Sequence, residues 1–145
     1  MIKQSLVQQL HDAACSLVVE NRGETRTYGK KGVRDLMWLL DHEPERLRGA
    51  RVADKVVGKA AAGLMAQGGV SEVYASVMSC PARQVLEQAG IPYGYGVLVD
   101  NIVIEAGDDR CPLEQIVMEA RTPQEIENLL RQHFIHMASR CASSL

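Results

Sequence analysis

Ala53-Asp54-Lys55-Val56-Val57-Gly58-Lys59-Ala60-Ala61-Ala62-Gly63-Leu64-Met65-Ala66-Gln67 is the stretch on which the fold turns. It is apolar on almost every side and closes on Gly68-Gly69, so the pattern predicts one buried central helix over residues 53–67. A helix with so little surface for water must be packed on a sheet or among other helices, which sets this segment at the centre of an α/β domain.

Downstream, residues 72–78 read as a strand built on Val73, Tyr74 and Val77, and residues 81–89 as a helix that stops at Gly90. Residues 93–99 and 102–105 supply further strand. Upstream, residues 16–20 and 25–28 are β-favouring runs separated by Asn21-Arg22-Gly23-Glu24, a turn of hairpin length. A short helix over residues 35–41 carries Leu36, Met37, Leu39 and Leu40, bounded by Gly32 and Pro44. Ile2, Leu6, Leu10 and Ala13 space a first helix over residues 2–14. Cys111-Pro112 opens a helix to about Arg121, and Thr122-Pro123-Gln124-Glu125 forms a capping box for a last helix through Ile126, Leu129, Leu130, Phe134 and Met137, with fraying expected after Arg140. The order of elements predicts a mixed sheet covered on both faces.

At 145 residues the chain is long enough for one domain and its core. With 46% hydrophobic and 23% charged residues and a net charge of −2, no basic excess points to a nucleic-acid polymer. Neither a secretory leader nor an apolar run of membrane-spanning length is legible, so a cytoplasmic location and no membrane partner are expected. The four cysteines, Cys15, Cys80, Cys111 and Cys141, form no C-x-x-C pair, which argues for free thiols.

Asp54-Lys55-x-x-x-Lys59 is the most informative pattern for chemistry. On a helix the two lysines would be neighbours at its positive end, where cations repel and are disfavoured. An anionic ligand, or a carboxylate such as Asp54, would compensate them, and unpaired helix N–H groups would assist. The alternative is that both lysines reach solvent from the only exposed strip while Asp54 caps the helix. Gly58 between them marks either close packing or the approach of a ligand.

Cys80 and Cys111 each precede a proline at a predicted helix start, where a thiolate is stabilised. Glu114 could move protons near Cys111 or cap its own helix. His133-x-x-His136 with Cys141 has the spacing of metal ligands but lacks a fourth, so it reads as a solvated helix end. His11 and His42 are isolated. Phosphate-loop, dinucleotide and hydrolase fingerprints are absent.

The segments Val52 through Ala62, Gly68-Gly69-Val70-x-Glu72-Val73-Tyr74-Ala75 and Cys111-Pro112-Leu113-Glu114 resemble a bacterial and archaeal domain-of-unknown-function family whose known structures resemble cytidine deaminase. The resemblance spans residues 16–120 and implies a three-layer α/β/α sandwich around a mixed sheet of about five strands. Zinc deaminases carry H-x-E at one central helix start and P-C-x-x-C at the next. Here the corresponding positions hold Ala53-Asp54-Lys55 and Ser79-Cys80-Pro81-Ala82-Arg83, so a catalytic zinc with three protein ligands is not expected, and no cofactor is.

Two classes of function follow. The first is a metal-independent enzyme for a nucleoside-, nucleotide- or sugar-phosphate-like molecule, with Asp54, Lys55, Cys111 and Glu114 as catalytic candidates. Lys55, Gly58, Lys59, Ser79 and Cys80 would bind its ligand. The second is a non-catalytic ligand sensor or an oligomeric interaction module, and a homodimer is the partner expected by analogy with deaminase-like proteins.

Overall fold

The computed structural model describes residues 8, 17–29, 33–100 and 112–143. Of the helix expected over residues 2–14 only Gln8 falls within them, and the strand expected at 102–105, together with Cys111, lies outside.

The chain enters the sheet through a hairpin of β1 (Leu17–Asn21) and β2 (Glu24–Tyr28). Arg22 and Gly23 form its two-residue loop with φ of 52° and 82°, the left-handed pair whose twist matches that of antiparallel strands. Next come α1 (Arg34–His42) and the single turn α2 (Pro44–Leu47), which starts on proline because that position has no N–H bond to lose. Asn21 locks the end of β1 to α2: its side-chain amide donates to the carbonyls of Glu45, Arg46 and Arg48 at 3.0, 2.9 and 3.1 Å.

The expectation of one helix over residues 53–67 is corrected here. Arg51–Val57 is a strand, β3, and the helix α3 covers Lys59–Gly68, with Gly58 between them in extended conformation. An apolar run buried on all sides does not by its periodicity distinguish a central strand from a buried helix. The β-branched pair Val56-Val57 and the ladders on both edges decide the matter: β3 pairs antiparallel with β1 and parallel with β4. Gly58 therefore incurs no helix-interior penalty, since it stands before the helix rather than inside it.

One more βα unit, β4 (Glu72–Ser79) and α4 (Cys80–Gln88), follows and leads into β5 (Tyr93–Val99). The resulting five-stranded mixed sheet runs β2-β1-β3-β4-β5, with β3, β4 and β5 parallel and β1 antiparallel to both its neighbours. At the amino ends of the parallel strands the connections are tied to one another. Gly49 N–H donates to Gly69 O at 2.8 Å, Ser71 N–H to Ala50 O at 2.7 Å, and Val73 N–H to Pro92 O at 3.1 Å. Arg51 stands between Glu20 and Glu72 on the same rim, at 3.9 and 3.7 Å.

The helices gather around α3, which contacts α1, α2, α4, the short α5 (Pro112–Ile116) and the long α6 (Pro123–Ser143). Its Ala60-Ala61-Ala62-Gly63 run is nearly smooth, so neighbours come close. A Cβ on Gly63 would fall 2.5 Å from Ile126 Cγ2 and 2.8 Å from Ile126 Cβ. Leu36, Leu39, Leu64, Met65, Leu86, Ile126 and Leu130 fill the core between them.

The helix expected from Pro112 to about Arg121 is shorter, because it ends at Ile116 and continues in turns. Thr122 caps α6 as expected, accepting from Glu125 N–H at 3.1 Å, but the Glu125 carboxylate reaches one residue further back and accepts from Arg121 N–H at 3.1 Å. Among the described residues no helix is long and apolar enough to cross a membrane.

Candidate functional site at the carboxyl ends of the parallel strands

β3 and β4 finish side by side, with Val57 paired to Met78, so the starts of α3 and α4 are neighbours. This brings together residues 54–59 and 79–80, the two segments whose types suggested chemistry. In open α/β sheets ligands bind outside the carboxyl ends of parallel strands.

Asp54 does not cap a helix; it lies within β3, between Leu17 of β1 and Ala75 of β4, and is 7% exposed. Burial is the main force on its carboxyl and pushes its pKa up to about 7; the charge of Asp35 adds to this, while backbone N–H bonds from Val56 and Lys55 oppose it. Val56 N–H donates to Asp54 Oδ1 at 3.4 Å. Asp35, in the first turn of α1 and itself buried, was not among the expected site residues. An aspartate opening an amphipathic helix reads in sequence as a partner for the helix dipole, and nothing local shows that it will face a second buried carboxyl.

Lys55 and Lys59 do not share a helix face. Lys55 is exposed and, one residue on from Asp54 in a strand, points to the opposite side of the sheet. Lys59 opens α3, and its ammonium donates to Met118 O at 2.7 Å.

The anion that the amino end of α3 calls for is supplied by the chain. Glu114 accepts from Lys59 N–H at 3.0 Å and from Ala60 N–H at 3.3 Å. Its capping role is thus exerted on α3, not on its own short helix. Burial raises the Glu114 pKa, and the two N–H bonds and Lys59 work against that rise. Replacing Glu114 with alanine is expected to cost about 1–2 kcal/mol, the usual loss for an N-cap acceptor, read as a lowered urea midpoint.

Ser79 is buried and committed to structure: its Oγ accepts from Ala82 N–H at 3.1 Å and caps α4. Cys80, the first residue of α4, is a half-buried free thiol. On α6 the His133 ring stacks edge-on against Phe134, and among the described residues no three His, Cys, Asp or Glu side chains are grouped to hold a metal ion. A cleft of about 370 Å³ lined by Asn21, Arg22, Glu24, Glu45 and Arg46 lies at the opposite end of the sheet. Its charges largely compensate each other, with Arg46 bound to Glu24 at 3.0 Å and Glu43 at 2.8 Å.

Of the expected site residues, Asp54, Gly58, Lys59, Glu114, Ser79 and Cys80 therefore gather around the ends of β3 and β4. Lys55 faces away from Asp54, and Cys111 is outside the described residues.

No curated protein matches the chain in sequence. Among solved structures, the crystal structure at 2.70 Å resolution of a DUF1893 family protein, TM1506 from Thermotoga maritima, is similar over 92% of both chains, with a TM-score of 0.81 and 24% identity. At that identity the likeness speaks for the fold. A family profile matches residues 5–134, nearly the whole chain. The chain thus belongs to the TM1506 family, a domain of unknown function designated DUF1893.

Proposed function

We propose that this protein is a cytidine-deaminase-like domain, its sheet sandwiched between two helical layers, that binds an anionic small molecule of the nucleotide or sugar-phosphate class without using zinc. The observation that carries this reading is the meeting of residues 54–59 with residues 79–80 at the carboxyl ends of adjacent parallel strands. That is where the metal motifs of a zinc deaminase would stand. Zinc does not fit the side chains present. Asp54 is buried and backbone-bonded, Ser79 is engaged as a cap, and Cys80 brings one thiol where three protein ligands are needed. A metal-independent reaction would draw on the Asp54 carboxyl, which can hold or release a proton near neutrality.

A thermal-shift panel of nucleosides, nucleotides and sugar phosphates at fixed salt tests the proposal. Ligand at a hundred times its dissociation constant stabilises by about 2.7 kcal/mol, a shift of several degrees for a domain of this size. One responding class, with turnover of that class assayed next, is the expected outcome. A flat response across the panel would remove the small-molecule reading and favour an interaction module.

A further inference from the structure

We infer that Lys55, Ser76 and Tyr74 form a phosphoryl-binding subsite on the sheet face that Lys55 occupies, laid over the glycines of β5. The inference rests on the reading of an anionic small-molecule ligand and names where its charge is held.

The strand register sets the residues in place. Asp54 pairs with Ala75 and Val56 with Val77, so Lys55 lies beside Ser76; Ala75 pairs with Tyr95 and Val77 with Val97, so Ser76 lies beside Gly96. Side-chain alternation puts Lys55, Ser76 and Gly96 on one face, with Tyr74 and Gly94 in the adjacent row. Gly96 can only be glycine, because a Cβ would sit 2.9 Å from Ser76 O. The Tyr74 hydroxyl lies 3.5 Å from that same Cβ position, and its ring edge 3.8 Å from the corresponding position of Gly94. The tyrosine therefore extends across bare backbone toward Ser76.

Ser76 Oγ is buried and, among the described residues, has no hydrogen-bond partner. A buried hydroxyl is rarely left so, and an unfilled one invites a missing acceptor. With the Lys55 ammonium and the Tyr74 hydroxyl it puts three donor groups on this one face of neighbouring strands, one of them cationic. That set suits the three terminal oxygens of a phosphate monoester. On this face, among the described residues, Glu20 and Glu72 lie two rows from Lys55 and Ser76, about 13 Å by strand rise, and both flank Arg51, while Glu72 is one row from Tyr74. Asp54 points to the other face.

The test is phosphorus-31 line broadening and calorimetry with inorganic phosphate on wild type, Lys55→Ala, Ser76→Ala and Tyr74→Phe, alongside any panel compound that stabilises the protein and its dephosphorylated parent. Saturable phosphate binding in wild type, weakened at least tenfold in Lys55→Ala and Ser76→Ala and severalfold in Tyr74→Phe, is expected. Ser76→Ala removes only an unpartnered hydroxyl, so its ligand-free melting temperature should be unchanged or higher, which separates lost binding from lost folding. Phosphate binding that is absent in wild type, or undiminished in Lys55→Ala and Ser76→Ala, overturns the subsite. If a panel compound and its dephosphorylated parent bind equally well, the subsite fails while the small-molecule reading stands. If inorganic phosphate binds through Ser76 and no panel compound does, the subsite stands and the ligand class proposed above fails.

Discussion

Replacing Asp54 with asparagine is expected to stabilise the protein by as much as ~4 kcal/mol at pH 8 and to change it little below pH 4. The folded carboxyl keeps its proton up to about pH 7, whereas the unfolded chain releases it near 3.8. Between those values the folded state binds more protons, so its stability is fullest below the lower value and declines as pH rises through the upper one. Roughly three pH units at about 1.4 kcal/mol each set the size of the loss. Asparagine keeps an oxygen for Val56 N–H and carries no charge to bury. Urea melts at pH 4, 6 and 8 on both proteins provide the measurement. Should wild type and Asp54→Asn share one pH profile, the buried carboxyl is not the source of the decline.

Gly63→Ala should destabilise by about 2 kcal/mol, although alanine is the better helix former by ~1 kcal/mol. The new methyl would meet Ile126 at its Cβ, 2.8 Å away, as well as at the flexible end of its side chain, so rotation alone gives no room and α3 and α6 must part. Ile126→Ala alone opens a cavity and should cost about 2–5 kcal/mol. When the two changes are combined, the methyl added by Gly63→Ala occupies part of that cavity, and the double variant should be more stable than the sum of the two single effects by at least ~1 kcal/mol. Simple additivity across the four proteins would show that the helices do not meet through this contact.

Asp54 and Gly63 also mark what the sequence discloses. The hairpin is legible in Arg22-Gly23 between β-favouring runs, and β4, α4, β5 and α6 are legible because turn glycines, prolines and a capping threonine punctuate them. The strand-to-helix change at Gly58 is not. Val52 through Met65 is apolar apart from Asp54, Lys55 and Lys59, and only pairing with β1 and β4, which is tertiary, separates its two halves. The site inherits that ambiguity. Asp54, Lys55 and Lys59 stand out as a group, but a helical spacing sets both lysines on one face when a strand sends Lys55 to the other. Glu114 is recognisable as a cap, yet its target lies 55 residues away. Asp35, Tyr74 and Ser76 carry no local signal, since an acid at a helix start and polar residues alternating along a strand are ordinary.

The bonds that join Gly49 to Gly69, Ala50 to Ser71 and Pro92 to Val73 give the sheet a mechanical polarity. One rim is cross-linked backbone to backbone, so β3, β4 and β5 are clamped at their amino ends and cannot slide past one another without breaking several bonds together. If a small molecule binds as proposed, the adjustment it draws falls at the far rim, in the Val57-Gly58 and Ser79-Cys80 junctions, while the spacing of the strands at the clamped rim stays fixed. A fold clamped in this way resembles a vice with one stationary jaw, its frame held at one rim and its helix entrances at the other.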